Sequence, residues 1–213
     1  MLNYIAKTNL KAGMVPKNII IFLHGYGADA SNLVSLWRDF DAVFQDAIFI
    51  FPNAPEAFEF GPPGFQWYSL MDRSREALLE KSYIAQQKLN QFIGQVLTKY
   101  QADESALSLF GFSQGAMVSI FTGIRLAKPV KCIIGFSGTL IAPDIAKDEA
   151  ISKPPICMIH GEQDMVVPVS LGKVAYSYLK DSGFNVEFNK ISNLEHSIDS
   201  LAIEAAIKFI QTL

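Results

Sequence analysis

Five short runs in this chain carry almost no charge and no polar alternation: 18–23, 47–51, 106–110, 130–136 and 156–160. Each is too short to be a self-burying helix. Continuous apolarity over five to seven residues suits a strand covered on both faces, which is the condition of a parallel sheet. A sixth segment, 185–191, alternates instead and reads as a strand nearer the sheet edge. Helical periodicity fills the gaps. It is longest over 76–100, where Ala85, Leu89, Phe92, Val96 and Tyr100 recur at steps of three and four. Shorter helical patterns cover 31–40, 114–126, 169–181 and 199–213. Strand and helix alternate after Asn18, which predicts a doubly wound α/β fold with a mostly parallel sheet. The 213 residues fit one such domain.

Composition narrows the function. Half the residues are hydrophobic, 18% are charged and the net charge is −3. That excludes a disordered chain. It also argues against nucleic acid as a partner, because no basic run is present to attract phosphates. No apolar run reaches the ~18 residues of a membrane span, and the N-terminus lacks the apolar core of a signal peptide. A soluble cytoplasmic protein is the expectation. Cys132 and Cys157 both lie in apolar runs and are expected to be reduced core thiols.

One stretch breaks the rhythm. Residues 52–74 hold four of the ten prolines together with Phe58, Phe60, Phe65, Trp67 and Tyr68. A long loop this aromatic is either packed as a satellite core or serves as a lid or substrate wall. Trp67, Phe65 and Tyr68 are the candidate substrate contacts.

The chemistry is carried by Gly111-Phe112-Ser113-Gln114-Gly115, set between a strand and a helix. This is the context that G-x-S-x-G requires. A sharp strand-to-helix turn exposes the serine hydroxyl. Side chains two residues before and after would collide, so both places are glycine. The following helix aims its N-terminal N–H groups at developing negative charge.

A serine nucleophile needs a base, and the chain has three histidines. His24 follows the first apolar strand in Leu23-His24-Gly25-Tyr26-Gly27. His160 ends a strand and reads as a structural hydrogen bonder fixing the loop after it. In the order serine, acid, histidine, only His196 follows both partners. The acid should lie on the loop after 156–160. Asp164 fits best, because the residues after it lead into a helix; Glu162 is the rival. Glu195 is badly placed to bond the ring of its neighbour, and Asp144 reads as a loop carboxylate. The oxyanion donors should be the backbone N–H groups of Gln114 and Tyr26.

Together these residues resemble the carboxylesterase / acyl-protein thioesterase (phospholipase/carboxylesterase) branch of the α/β-hydrolases. The matching blocks are Leu23-His24-Gly25-Tyr26-Gly27-Ala28-Asp29, Phe51-Pro52-Asn53-Ala54-Pro55, Gln66-Trp67-Tyr68, Gly111 to Gly115, His160 to Pro168 and Glu195-His196. The resemblance implies a triad of Ser113, Asp164 and His196, with Tyr26 and Gln114 as oxyanion donors. It departs at Ser69, where many relatives carry an acid after the Trp-aromatic pair. It implies hydrolysis of a carboxylic ester, a lysophospholipid or an acyl thioester, with no cofactor. No histidine-carboxylate cluster has metal-ligand spacing. A non-catalytic ligand-binding module on this fold and a serine peptidase are the alternatives. The sequence leaves a homodimer open.

Overall fold

The structure is a computed structural model that describes residues 1–11 and 13–213. Its strands, in chain order, are β1 (Tyr4–Thr8), β2 (Asn18–Leu23), β3 (Ala47–Pro52), β4 (Glu56–Ala57), β5 (Phe65–Gln66), β6 (Leu107–Phe112), β7 (Cys132–Phe136), β8 (Ile156–Gly161) and β9 (Val186–Ile191). The helices are α1 (Trp37–Phe40), α2 (Arg75–Tyr100), α3 (Gln114–Gly123), α4 (Pro143–Glu149), α5 (Val169–Asp181) and α6 (Ser200–Ile210). Seven strands make one sheet in the order β1-β3-β2-β6-β7-β8-β9, and β4 and β5 pair only with each other. Within the large sheet, only β1 is antiparallel. This is the α/β-hydrolase fold in one domain, as the sequence implied.

Burial explains why the apolar runs become central strands. Every residue of β2, β3, β7 and β8 is buried. One sheet face packs against α2, α3 and α5 around Ile21, Leu89, Ile120, Met158 and Ala175. The other face packs against α1 and α6 around Phe22, Phe110, Ile134, Ala206 and Phe209. On that second face Phe22 stacks on Phe51 at 4.8 Å, and Phe40 meets Phe110 edge-on at 5.0 Å. Cys132 and Cys157 are free and buried, and burial pushes their thiols up to about 11 and about 12.

Three local expectations change. β1 goes unannounced because it is an edge strand, exposed along most of its length. The segment expected as one helix over 31–40 is two 3-10 turns, Ala30–Asn32 and Val34–Leu36, followed by the single turn α1. Serine and asparagine favour caps and turns over helix interiors and β-branched valine loses side-chain freedom there, and the Asp29 side chain caps the first turn through the Ser31 N–H. The stretch 52–74 holds the β4–β5 hairpin, tied to the loop after β2 by Gly27 N–H to Phe65 O (2.9 Å) and Phe65 N–H to Ala28 O (2.8 Å). Among the described residues, no helix is long and apolar enough to cross a membrane.

The tightest constraint in the fold is where α3 meets β2. A Cβ on Gly111 would collide with the Gly115 carbonyl, and one on Gly115 would collide with the carbonyls of Leu23 and His24. All these partners are backbone, so they cannot move aside as a side chain would. Gly115→Ala should therefore cost ~3 kcal/mol or more, lowering Tm by roughly 6–12 °C. Gly94, exposed in the middle of α2, has nothing within 4 Å of its would-be Cβ. Gly94→Ala should stabilise by ~0.5–1 kcal/mol, because alanine removes backbone freedom from the unfolded chain. Thermal melts of both variants beside the parent check the pair.

Candidate active site

The loops that leave the C-terminal ends of β2, β6, β8 and β9 converge on one edge of the sheet. Open α/β sheets place ligands on this edge. β6 runs directly into α3, and the turn residue between them is Ser113. Its backbone sits at φ 55° and ψ −119°, a left-handed conformation that L-residues rarely adopt. The Ser113 N–H donates to Phe136 O at 2.9 Å, so β7 helps hold the strained turn.

The structure brings Ser113, His196 and Asp164 together from three separate loops. His196 Nε2 lies 3.0 Å from Ser113 Oγ, and His196 Nδ1 lies 2.7 Å from Asp164 Oδ2. The ring also packs on Phe112 with centroids 4.8 Å apart. The other carboxylate oxygen, Asp164 Oδ1, accepts the N–H groups of Val166 (2.9 Å) and Val167 (2.8 Å). Burial opposes charge on Asp164, but the His196 ring and these two N–H groups outweigh it. Its carboxyl is held below the usual carboxylate range.

The rival residues stand elsewhere. Glu162 is solvated and paired with Lys190 and Ser192 on β9 and the turn after it. Asp144 pairs with Arg75 at the surface. His160 is buried, with Nε2 2.7 Å from Val167 O and 3.4 Å from Asp164 Oδ2. It braces the loop that carries Asp164 and does not reach Ser113. His24 is also buried. Burial pushes its imidazole below the ordinary range against a weaker pull from the Gly25 carbonyl. The neutral ring donates from Nδ1 to Gly25 O and accepts the Ala54 N–H at Nε2, at 2.7 and 2.9 Å.

Among the described residues, the N–H groups of Tyr26 and Gln114 donate to no backbone carbonyl. Both residues line the groove above Ser113. The Gln114 side chain is fully engaged: Oε1 accepts the Trp67 N–H at 2.9 Å and Nε2 donates to Tyr68 O at 2.8 Å. The buried amide thus fastens the start of α3 to the aromatic stretch.

The groove encloses about 1130 Å³ and is lined mainly by apolar side chains, among them Leu33, Leu36, Leu70, Leu78, Met117 and Ile141. Of the three aromatic residues expected to contact substrate, only Tyr68 lines it. Trp67 is 1% exposed and points into the core beneath the loop after β2, where its Nε1–H donates to His24 O at 3.0 Å. Phe65 lies on β5, paired opposite Ala57, and lies outside the groove lining. Those two assignments are corrected: a ring with a donor to satisfy is used as a prop, and the groove wall is made by leucines scattered over five segments. Periodicity could not flag these leucines, because they share no element. Among the described residues, no group of three His, Cys, Asp or Glu side chains could hold a metal ion.

Comparison with known proteins shows the family. The chain is 32% identical over 209 residues to acyl-protein thioesterase 1 of Aspergillus fumigatus, covering 90% of this chain and 86% of the relative. It is 30% identical to acyl-protein thioesterase 1 of Saccharomyces cerevisiae, covering 92% of each chain. The crystal structure of esterase PE8 superposes with a TM-score of 0.91 at 31% identity, over 99% of both chains. The sequence pattern of the Phospholipase/Carboxylesterase family matches residues 10–213, so the protein belongs to that family of α/β-hydrolases and is a hydrolase.

Proposed function

We propose that the protein cleaves carboxylic esters or acyl thioesters by two-step acyl transfer, with Ser113 as nucleophile, His196 as base and Asp164 as its orienting acid. The observation that carries this reading is the continuous Ser113–His196–Asp164 hydrogen-bonded chain at the floor of an apolar groove. His196 takes the Ser113 proton as Oγ attacks the acyl carbon. The N–H groups of Tyr26 and Gln114 receive the oxyanion. His196 then returns the proton to the leaving alcohol or thiol, and a water activated by the same ring releases the acid. The ionised Asp164 fixes the Nδ1–H tautomer and stabilises the imidazolium that forms.

The substrate class follows from the groove. Its apolar walls suit a fatty acyl chain, as in a lysophospholipid or an S-acylated peptide. Apolar contacts discriminate by only about 1–3 kcal/mol per methylene, so a broad chain-length preference follows. Tyr68 and Leu70 put part of the 52–74 stretch into the groove wall.

Ser113→Ala should lower kcat by roughly 10⁴–10⁶ with the fold intact. A fluorophosphonate should label Ser113 and no other serine, which peptide mapping by mass spectrometry reads directly. Label on another serine, a nearly active variant, or one labelling burst without turnover by the wild type would sink the assignment. Cleavage of esters without cleavage of the matching amides separates it from a peptidase.

The acid is tested by pairing two variants on one ester. Asp164→Asn should lose about 10²–10⁴ in kcat, because an amide can hold the ring in the wrong tautomer. Glu162→Gln should stay within a few-fold, since its carboxylate faces Lys190 and solvent. The pH profile has a definite sign. Asp164 is held below the usual carboxylate range and is ionised throughout neutral pH. The base must be unprotonated to accept the serine proton, so kcat/KM should rise as the pH goes from acid to neutral. A profile that falls across that range, or Glu162→Gln as the more damaged variant, overturns these roles.

A further inference from the structure

The Tyr26 peptide, at a residue that lines the groove, sits between Gly25 and Gly27. Glycine on both sides gives that peptide little steric restraint of its own, since neither neighbour has a Cβ to restrict it. Ala28 N–H donates to Gly25 O and Gly27 N–H to Phe65 O, while among the described residues the Tyr26 N–H donates to no backbone carbonyl. The Gly25 carbonyl at the other end of the same planar peptide accepts His24 Nδ1–H at 2.7 Å and Ala28 N–H at 3.2 Å; the one side chain in the turn, the Tyr26 phenol, adds a tie to a second segment.

The phenol is anchored. Its ring meets Phe58 edge-on with centroids 5.0 Å apart, and its OH donates to the Glu59 carboxylate. The same carboxylate accepts the Ser69 hydroxyl and the Leu70 N–H, the latter at 3.0 Å. The Glu59 N–H donates to the Gln66 side chain at 3.1 Å. Glu59 thus joins the loop after β2 to the strap that follows β5. The nearby Gln114 amide joins α3 to that strap at Trp67 and Tyr68.

We infer that Glu59 is a positioning residue for the reaction: by tying the Tyr26 phenol to Ser69 and Leu70 it sets the distance between the N–H groups of Tyr26 and Gln114. The inference rests on the acyl-transfer reading above. Both residues that supply those N–H groups are fastened to one five-residue segment, 66–70, Gln114 directly and Tyr26 through Glu59, so that the segment acts as a common ruler. Ionisation supports it. Burial and the Glu59 hydrogen bond push the Tyr26 phenol up to about 12, so it stays a donor at neutral pH. Burial works against charge on Glu59, but its hydrogen bonds prevail and hold its carboxyl below the ordinary range, so it stays a full acceptor.

The test is steady-state kinetics on p-nitrophenyl butyrate with Glu59→Ala, Glu59→Gln, Tyr26→Phe and the double variant Tyr26→Phe/Glu59→Ala. A misplaced donor weakens the transition state more than the ground state, and a shift near 1 Å can cost up to ~10²-fold. Glu59→Ala and Tyr26→Phe should each lower kcat about tenfold, with KM changed by less than about twofold. The double variant should be no worse than the worse single one, because both cut the same tether. Glu59→Gln should recover most of the loss: its amide oxygen can accept from Tyr26 and Leu70 while its NH2 donates to Ser69. A merely structural role would lower Tm without this split between kcat and KM. Should Glu59→Ala fail to fold, Tyr26→Phe and Glu59→Gln still decide the matter. Glu59→Ala with kcat within twofold of wild type, losses confined to KM, or losses that multiply in the double variant would each overturn the inference alone. A wild type inert to esters and to a fluorophosphonate would overturn the hydrolase reading and this inference with it.

Discussion

Backbone meets backbone where α3 starts, and most of the site depends on that contact. The first turn of α3 presses so closely on the end of β6 that Gly111 has no room for a Cβ, and so closely on the end of β2 that Gly115 has none. This approach forces the residue between them into a left-handed conformation that costs of order 1–3 kcal/mol. The cost is offset by bonds on both sides: Ser113 N–H donates to Phe136 O, and Ser113 O accepts the N–H groups of Ala116 and Met117. The result is a hydroxyl lifted off the sheet, above the strand ends, with the positive end of a helix directly behind it. The same approach places the His24 carbonyl where the Trp67 indole can reach it. The loop after β2 and the aromatic strap are therefore built on the geometry of the elbow.

The electrostatic half of the site is settled before any substrate arrives. Asp164 receives two N–H groups from its own loop, and that loop is braced by the buried His160 through Val167 O. The carboxylate cannot swing away from His196 without breaking both turns. His196 is held between that carboxylate and the face of Phe112. Preorganised charge of this kind needs no reorganisation during reaction, which is the condition under which electrostatic stabilisation is largest. The strong neighbouring acid, Glu162, is neutralised at the surface by Lys190 and does not compete for the ring.

The central strands are legible in the sequence because burial on both faces leaves a one-dimensional trace, an apolar run. The chain order of Ser113, Asp164 and His196 is legible for a different reason: with few histidines, topology alone singles out one. β1 leaves no such trace, since Ile5, Ala6 and Lys7 lie on an exposed edge and their pattern serves solvent as much as sheet. The broken helix over 31–40 misleads because its apolar spacing is helical while its residues favour turns. Trp67 and Phe65 mislead because composition reports how many aromatic rings a segment holds but not which way they face. The direction is set by partners far along the chain, His24 O for Trp67, or across the hairpin, Ala57 for Phe65. The leucine lining of the groove is invisible for the same reason: it assembles only when five segments meet.

That misreading has a physical moral about residues 52–74. An aromatic stretch beside a catalytic loop suggests a wall, yet its largest ring is buried and its backbone is committed in both directions. Phe65 bonds the loop after β2, Trp67 and Tyr68 bond the Gln114 amide, and Leu70 bonds Glu59. A wall needs only shape, and shape tolerates small movements. The pair of N–H donors proposed at Tyr26 and Gln114 does not, because the two would converge on one oxygen atom from different loops. Burying a tryptophan supplies the stiffness for that purpose: its ring resists rotation in a packed core, and its indole donor accepts a single geometry. On this view the stretch is aromatic because it is a rigid spacer between β2 and α3, and the residues of it that face the groove are those left over once the spacer is built.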